Sequence, residues 1–272
     1  MVRRRADEQL RRMRLLQISD PHLVADPAGR YRGWRPADHL AEALRRGAAL
    51  DPPPDLLLIS GDLCQDESWG GYVLLRQLLE RWPTPVALLS GNHDHPQLLR
   101  AALGRRALLA PALLELAGCR LALLDSHQAG RSGGALGGRQ LAWLASGLER
   151  WAAGPPLPHL VSVHNPPLPI GDPSFDAIGL DDGAELLALL ARAPGLAALV
   201  FGHVHQHWQG ELPGRPGVAL LGCPSTLCGF GPVQPCPLGR ADDPGGRWLE
   251  IGTAAGLGQA LLRWPAPQPP PA

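Results

Sequence analysis

Apolar stretches of strand length recur along this chain, separated by segments with helical periodicity. Residues 15–19, 56–60, 86–90, 160–163 and 199–201 are dominated by Leu, Ile, Val and Ala, the pattern of strands covered on both faces. Residues 120–124 read the same way. Between them, 36–50 places apolar residues at helical spacing, with Pro36 suited to a first turn. Residues 68–82 and 96–103 predict two further helices. In 139–151, Leu141, Leu144 and Leu148 form a stripe that Trp151 completes. Residues 181–192 predict a helix with Asp181 or Asp182 as its N-cap. Beyond His203 the helical signals fade, and 218–221, 247–251 and 260–264 read as strands between Gly/Pro clusters.

This alternation predicts an α/β fold with a β-rich C-terminal part. No internal repeat or linker divides it, so one domain is expected over 1–264, followed by an extended, mobile Pro-rich tail at 265–272. The stretch 222–246 is long and poor in regular structure, which in a compact domain points to a functional loop.

Composition narrows the function. The 272 residues are 45% hydrophobic, enough for a sizeable core, and 25 basic groups balance 25 acidic ones. That balance gives no bulk attraction to nucleic acid or to an anionic membrane. All the basic residues are arginine, which excludes Schiff-base chemistry and a P-loop lysine. The cluster Arg3, Arg4, Arg5, Arg11, Arg12 and Arg14 reads as a frayed, solvated terminus before it reads as a nucleic-acid arm. No apolar signal core follows it, and no apolar run reaches the ~20 residues of a membrane helix. Five cysteines without a CxxC pair fit a reducing, cytoplasmic setting. Cys223, Cys228 and Cys236 are poorly spaced for zinc and read as ordinary thiols.

The chemistry lies just past the strand ends. Asp20 and His22, Asp62, Asn92 with His93 and Asp94, His164, and His203 with His205 each follow one of the five main apolar runs. In open α/β sheets ligands gather outside the carboxyl ends of strands. Carboxylate and imidazole suit Mn, Fe or Zn, and Asn adds a neutral oxygen. Seven candidate ligands are too many for one tetrahedral ion and suit two ions sharing a carboxylate. Two divalent ions, two aspartates and a hydroxide sum to about +1, which a phosphodiester monoanion would neutralise. His95, His127 and His207 lie close by, with His127 a candidate to line the pocket and His207 a strand residue turned away. His39 and His159 read as surface residues. Trp34, Trp69 and Trp208 are candidates to stack on a nucleobase, although packing is the commoner role.

In order, these residues are Asp20-Pro21-His22, Gly61-Asp62, Gly91-Asn92-His93-Asp94, His164 and Gly202-His203-Val204-His205. The set resembles the calcineurin-like metallophosphoesterase family, over residues 14 to about 225. The resemblance implies a four-layer α/β/β/α sandwich of two mixed β-sheets, with the metal site at the carboxyl ends of the strands. It implies one metal on Asp20, His22, Asp62 and His205, and a second on Asp62, Asn92, His164 and His203. It implies that His93 meets the phosphoryl group, oriented by Asp94, and that Asn92, His93 and His205 contact substrate. Segments 17–23, 60–66, 123–126, 140–144, 164–169, 202–206 and 223–227 are similar to class III cyclic-nucleotide phosphodiesterases. That similarity implies hydrolysis of 3′,5′-cyclic AMP to 5′-AMP by in-line attack of a metal-bridging hydroxide. A broader phosphodiesterase, or a non-catalytic scaffold of the same fold, are the other readings. One departure is visible: Asn165 and Pro166 follow His164, where the family often has another histidine, which puts a substrate contact there in doubt.

Overall fold

The computed structural model describes residues 12–252 and 256–267. Six strands form each of two sheets. The first is ordered β12–β11–β1–β2–β3–β4 and the second β5–β6–β7–β8–β10–β9. In the first sheet, β1 (Met13–Ile18), β2 (Leu56–Ile59), β3 (Val86–Leu88) and β4 (Leu108–Leu109) run parallel. The antiparallel pair β11 (Gly245–Gly252) and β12 (Gly256–Arg263) flanks them. The second sheet is also mixed, with one antiparallel strand on each edge. Four strands run parallel: β6 (Cys119–Leu123), β7 (His159–Val163), β8 (Leu196–Phe201) and β10 (Arg215–Gly222). Antiparallel β5 (Ala112–Leu116) and β9 (Trp208–Leu212) close its edges.

Strand alternation assigns each residue to a layer. Leu15, Leu56, Leu58 and Leu89 face Leu121, Leu123, Leu160 and Val200 in a core between the sheets. Their neighbours Leu16, Leu57, Ile59 and Leu88 face outward and pack with Leu40, Leu75 and Leu103 of α1 (Pro36–Ala48), α2 (Trp69–Leu79) and α3 (Pro96–Leu103). On the other side, Val161, Val163, Leu199 and Phe201 pack with Leu144 and Leu148 of α4 (Gly137–Ala152) and Leu186 of α6 (Gly183–Ala191). The four α/β/β/α layers follow, and each parallel strand is apolar on both faces because both are covered.

Local chemistry sets the helix ends. Pro36 opens α1 and Ser68 caps α2, accepting from the Gly71 amide at 3.0 Å. Asp182 stands at the start of α6, but its carboxylate accepts from the Leu136 and Gly137 amides and caps α4 instead. The sequence pattern leaves β4, β5, β9 and the one-turn helix α5 (Pro173–Asp176) unread. A two-residue strand has no period, the Leu-rich β5 has no clean alternation, and Gly210 interrupts β9. Two histidines expected at the surface are buried. His39 hydrogen-bonds through Nδ1 to the Thr226 carbonyl, and His159 packs on Trp151. Arg12, half exposed, pairs with Glu250, and Arg14 pairs with Asp55; Arg3, Arg4, Arg5 and Arg11, like most of the tail, lie outside the described residues.

Candidate metal centre

The polar turns after β1, β2, β3, β7 and β8 meet on one rim. The first two run side by side: the Asp20 amide donates to the Gly61 carbonyl and the His22 amide to the Asp62 carbonyl. Five of the seven candidate ligands, Asp20, His22, Asp62, His203 and His205, have left-handed backbones with φ between 47° and 67°. Such φ values are uncommon outside glycine and store local strain, which the surrounding fold must over-determine. All three glycines of the motifs are required by space, Gly202 because a Cβ there would stand 2.6 Å from the Ser60 carbonyl oxygen. A Cβ on Gly61, itself at φ 103°, would stand 2.2 Å from His164 Nδ1, and one on Gly91 would stand 2.1 Å from Asp62 Oδ1.

The donors fall into two groups. Asp20, His22, Asp62 and His205 converge in one, Asp62, His164 and His203 in the other, and all are buried. Asp62 belongs to both. Its Oδ2 lies 3.7 Å from His22 Nε2 and its Oδ1 3.3 Å from His164 Nε2. The Asn92 Oδ1 reaches His164 Nε2 at 3.2 Å and so joins the second group.

The outer hydrogen bonds aim the rings. Nδ1 of His22, His164 and His205 donates to Gln65 Oε1, the Ser60 carbonyl and the Cys228 carbonyl, at 2.7, 2.7 and 3.0 Å. Each Nε2 lone pair is thereby turned inward. The Nε2 atoms of His22 and His205 then face each other at 2.9 Å, an approach that needs a proton between them, as on metal-free His205, or a cation beside both. With metal–nitrogen bonds of about 2.1 Å, that separation matches two donors at right angles on one ion. Among the described residues, His203 Nε2 is buried without a hydrogen-bond partner. The donor set therefore fits a pair of metal ions.

Electrostatics carry the same imprint. Burial opposes charge on His164 and His205, but the carboxylates of Asp62 and Asp20 outweigh it and raise them to about 9 and about 10. Burial also opposes charge on Asp20 and Asp62, and the imidazoles of His205 and His164 hold both below the usual carboxylate range. Burial lowers His22 to about 4 and His203 to about 3. Metal-free, the rim thus holds protons where its carboxylates demand positive charge.

His93 sits beside this group, its amide donating to Asp62 Oδ1 at 3.0 Å. Its ring partner is Gln65, not Asp94. Gln65 Oε1 is occupied by His22, so its Nε2 donates to His93 Nδ1, at 3.2 Å. Asp94 serves the loops instead. Its carboxylate accepts from the amides of Leu63, Cys64 and Gly91 and from the Tyr72 hydroxyl. Burial and the Asp62 charge push it up to about 7, and those donors oppose the rise.

A cavity of about 220 Å³ opens above the rim. Its floor is His22, Asp62, Asn92, His93, His203 and His205, and its walls include Tyr31, Arg32, Phe175 and Phe230. Pattern reading missed these four, because isolated residues in irregular loops carry no period. Phe230 does lie in the long loop singled out from sequence. The three tryptophans considered for stacking pack elsewhere: Trp34 on His39, Trp208 buried and bonded to the Ile170 carbonyl, and Trp69 half exposed on α2. His127 does not line the cavity but bonds through Nδ1 to the Gly91 carbonyl. His207 is nearly buried against Arg247, with Nδ1 3.0 Å from its Nη2. Asn165 is buried and ties the Ser132 and Ile178 carbonyls together behind the wall. The five cysteines are free thiols.

Comparison with known proteins agrees with this geometry. The family model for calcineurin-like phosphoesterases matches residues 13–207. A probable cyclic nucleotide phosphodiesterase of Synechococcus sp. (strain WH7803) is 48% identical over 93% of this chain and 97% of its own length. The 3′,5′-cyclic adenosine monophosphate phosphodiesterase CpdA of Escherichia coli (strain K12) is 34% identical, over 88% of this chain and 86% of its own. In fold, a dimetal phosphatase from Danio rerio superposes with a TM-score of 0.64 at 16% identity, covering 92% of this chain and 98% of the other. Among the described residues no helix is long and apolar enough to cross a membrane. With its five motifs gathered on one rim, the chain belongs to the calcineurin-like phosphoesterase family.

Proposed function

We propose that this protein is a cytoplasmic dinuclear-metal phosphodiesterase that hydrolyses 3′,5′-cyclic AMP to 5′-AMP, with residues 1–264 acting as one domain. The observation that carries the reading is Asp62, whose two carboxylate oxygens face two separate donor groups. One ion would be held by Asp20, His22, Asp62 and His205, the other by Asp62, Asn92, His164 and His203, with Mn, Fe or Zn as the suited elements. When bound, the metals polarise the phosphoryl group and make hydroxide available at neutral pH.

The chain's own groups do the rest. Asn92, His93 and His205 line the cavity and meet the phosphoryl oxygens. Gln65 occupies His93 Nδ1, so the ring carries its proton on Nε2. As the P–O3′ bond breaks, that N–H donates a hydrogen bond to the departing 3′ oxygen, whose proton comes through water from the hydroxyl gained by phosphorus. Asp94 pins the turns bearing Asp62 and His93 and so fixes their relative positions. The names borne by the relatives support cyclic nucleotides as substrates.

The test is a turnover screen of manganese-loaded protein on cyclic AMP and bis(p-nitrophenyl) phosphate. Release of 5′-AMP, without 3′-AMP, is expected. Rapid aryl diester cleavage with undetectable cyclic AMP turnover would replace this reading with the broader phosphodiesterase.

A further inference from the structure

The wall of the cavity has a composition that metal chemistry does not require. The chain has three phenylalanines and two tyrosines. Tyr72 and Phe201 are fully buried, whereas Tyr31, Phe175 and Phe230 are only partly buried and line this one cavity. They come from three distant segments. Each packs on a different histidine of the rim: Tyr31 on His22 at 5.2 Å, Phe175 on His203 at 5.8 Å and Phe230 on His205 at 4.5 Å between centroids. Phe175 and Phe230 also touch, at 5.5 Å.

Arg32 closes this wall. Its guanidinium lies 4.8 Å from the Phe230 ring centroid and 5.5 Å from that of Tyr31. Its backbone is left-handed, at φ 51°, and its Nε donates to the Tyr31 hydroxyl at 3.3 Å. Among the described residues no carboxylate pairs with it, whereas the neighbouring Arg35 pairs with Asp38. An exposed guanidinium held close to aromatic rings keeps its Nη groups available to donate.

We infer that Tyr31, Arg32, Phe175 and Phe230 form a nucleobase subsite, gripping a flat base by its face and by its acceptor edge. The inference rests on the phosphodiester reading above and extends it to base choice. Stacking does not distinguish the bases, because every base has a π-face. Arginine only donates, so it favours an edge bearing two acceptors, such as guanine O6 and N7, over an edge carrying adenine's amino group. Ser132 and Ser174 are the other polar side chains of the wall, and neither supplies the paired donor and acceptor of an amide that reads adenine. The subsite therefore takes purine nucleotides without preferring adenine.

Binding separates this inference from the catalytic one. Calorimetry on manganese-loaded protein compares 5′-AMP, 5′-GMP and ribose 5-phosphate. The nucleotides are expected to bind about tenfold or more tighter than ribose 5-phosphate, with 5′-GMP at least equal to 5′-AMP. In Arg32→Ala and Phe175→Ala the gap shrinks to about threefold or less, while bound manganese and ribose 5-phosphate affinity stay as in the parent. Equal binding of all three ligands overturns the subsite, and a strong preference for 5′-AMP overturns its indifference to adenine. If the gap is present but cyclic AMP is not cleaved, the subsite stands and the proposed reaction falls.

Discussion

The two rims of the double sheet both carry cavities, and they differ in kind. At the amino ends of β6, β7 and β8 lies the larger one, about 370 Å³, against about 220 Å³ above the candidate metal centre. Its lining is mostly Pro, Gly, Leu and Ala with one guanidinium. That guanidinium, on Arg120, is spent on the Trp151 carbonyl at 2.8 Å and on Glu115 at 3.4 Å. Burial lowers the nearby His159 to about 4, so it stays neutral. On the carboxyl rim, by contrast, buried carboxylates and imidazoles converge in two groups that share Asp62. Volume does not mark a site here; donors converging from several strand ends do.

The contrast can be attacked at its strongest point first. Asp62→Ala removes the donor common to both groups. Manganese content should fall from about two ions to less than one, and turnover should fall by at least about 10³-fold. Two retained ions, read by elemental analysis, would show that the carboxylate is not shared. His93→Ala should keep both ions yet lose on the order of 10²-fold or more in kcat. Unchanged turnover there removes His93 from the reaction.

Gln65→Ala should cost about 10–100-fold in kcat, with KM little changed, because it frees the His93 and His22 rings to turn. Gln65→Glu, with no N–H to donate, should not restore the rate; if it does, hydrogen-bond donation to His93 is irrelevant. Metal loading also has a protonic signature. At pH 7.5 His164 and His205 are protonated in the metal-free protein, since both are raised well above that pH. Manganese must displace those protons, so calorimetry in buffers of different ionisation enthalpy should show release of about two or more, and affinity should weaken as pH falls. The smallest effect belongs to the other rim. Leu196→Ala there should cost about 2–4 kcal/mol in denaturant-derived stability and leave kcat per loaded enzyme unchanged.

The same contrast explains what could be read from sequence. The floor was legible because each ligand type is chemically distinctive and follows an apolar run that ends where its strand ends. The parallel strands were legible because burial on both faces makes them continuously apolar, as in Leu56–Ile59. The wall was not. Tyr31, Arg32, Phe175 and Phe230 are ordinary residues until the loops bring them together. Asp94 and Asp182 illustrate a related limit. A carboxylate is recognisable as an acceptor, but which donors it takes depends on tertiary neighbours: the amides of Leu63 and Gly91 in one case, the start of a different helix in the other. Buried His39 and His159 were misread because nothing local distinguishes an enclosed histidine from a solvated one.

The left-handed turns at Asp20, His22, Asp62, His203 and His205 have a practical corollary. Main-chain conformation, and not rotamer choice alone, aims these side chains. Grafting the same residues onto an ordinary helix or a flat strand would copy the atoms and lose their convergence. A designer borrowing this chemistry must transplant the bends at the sheet's edge along with the amino acids.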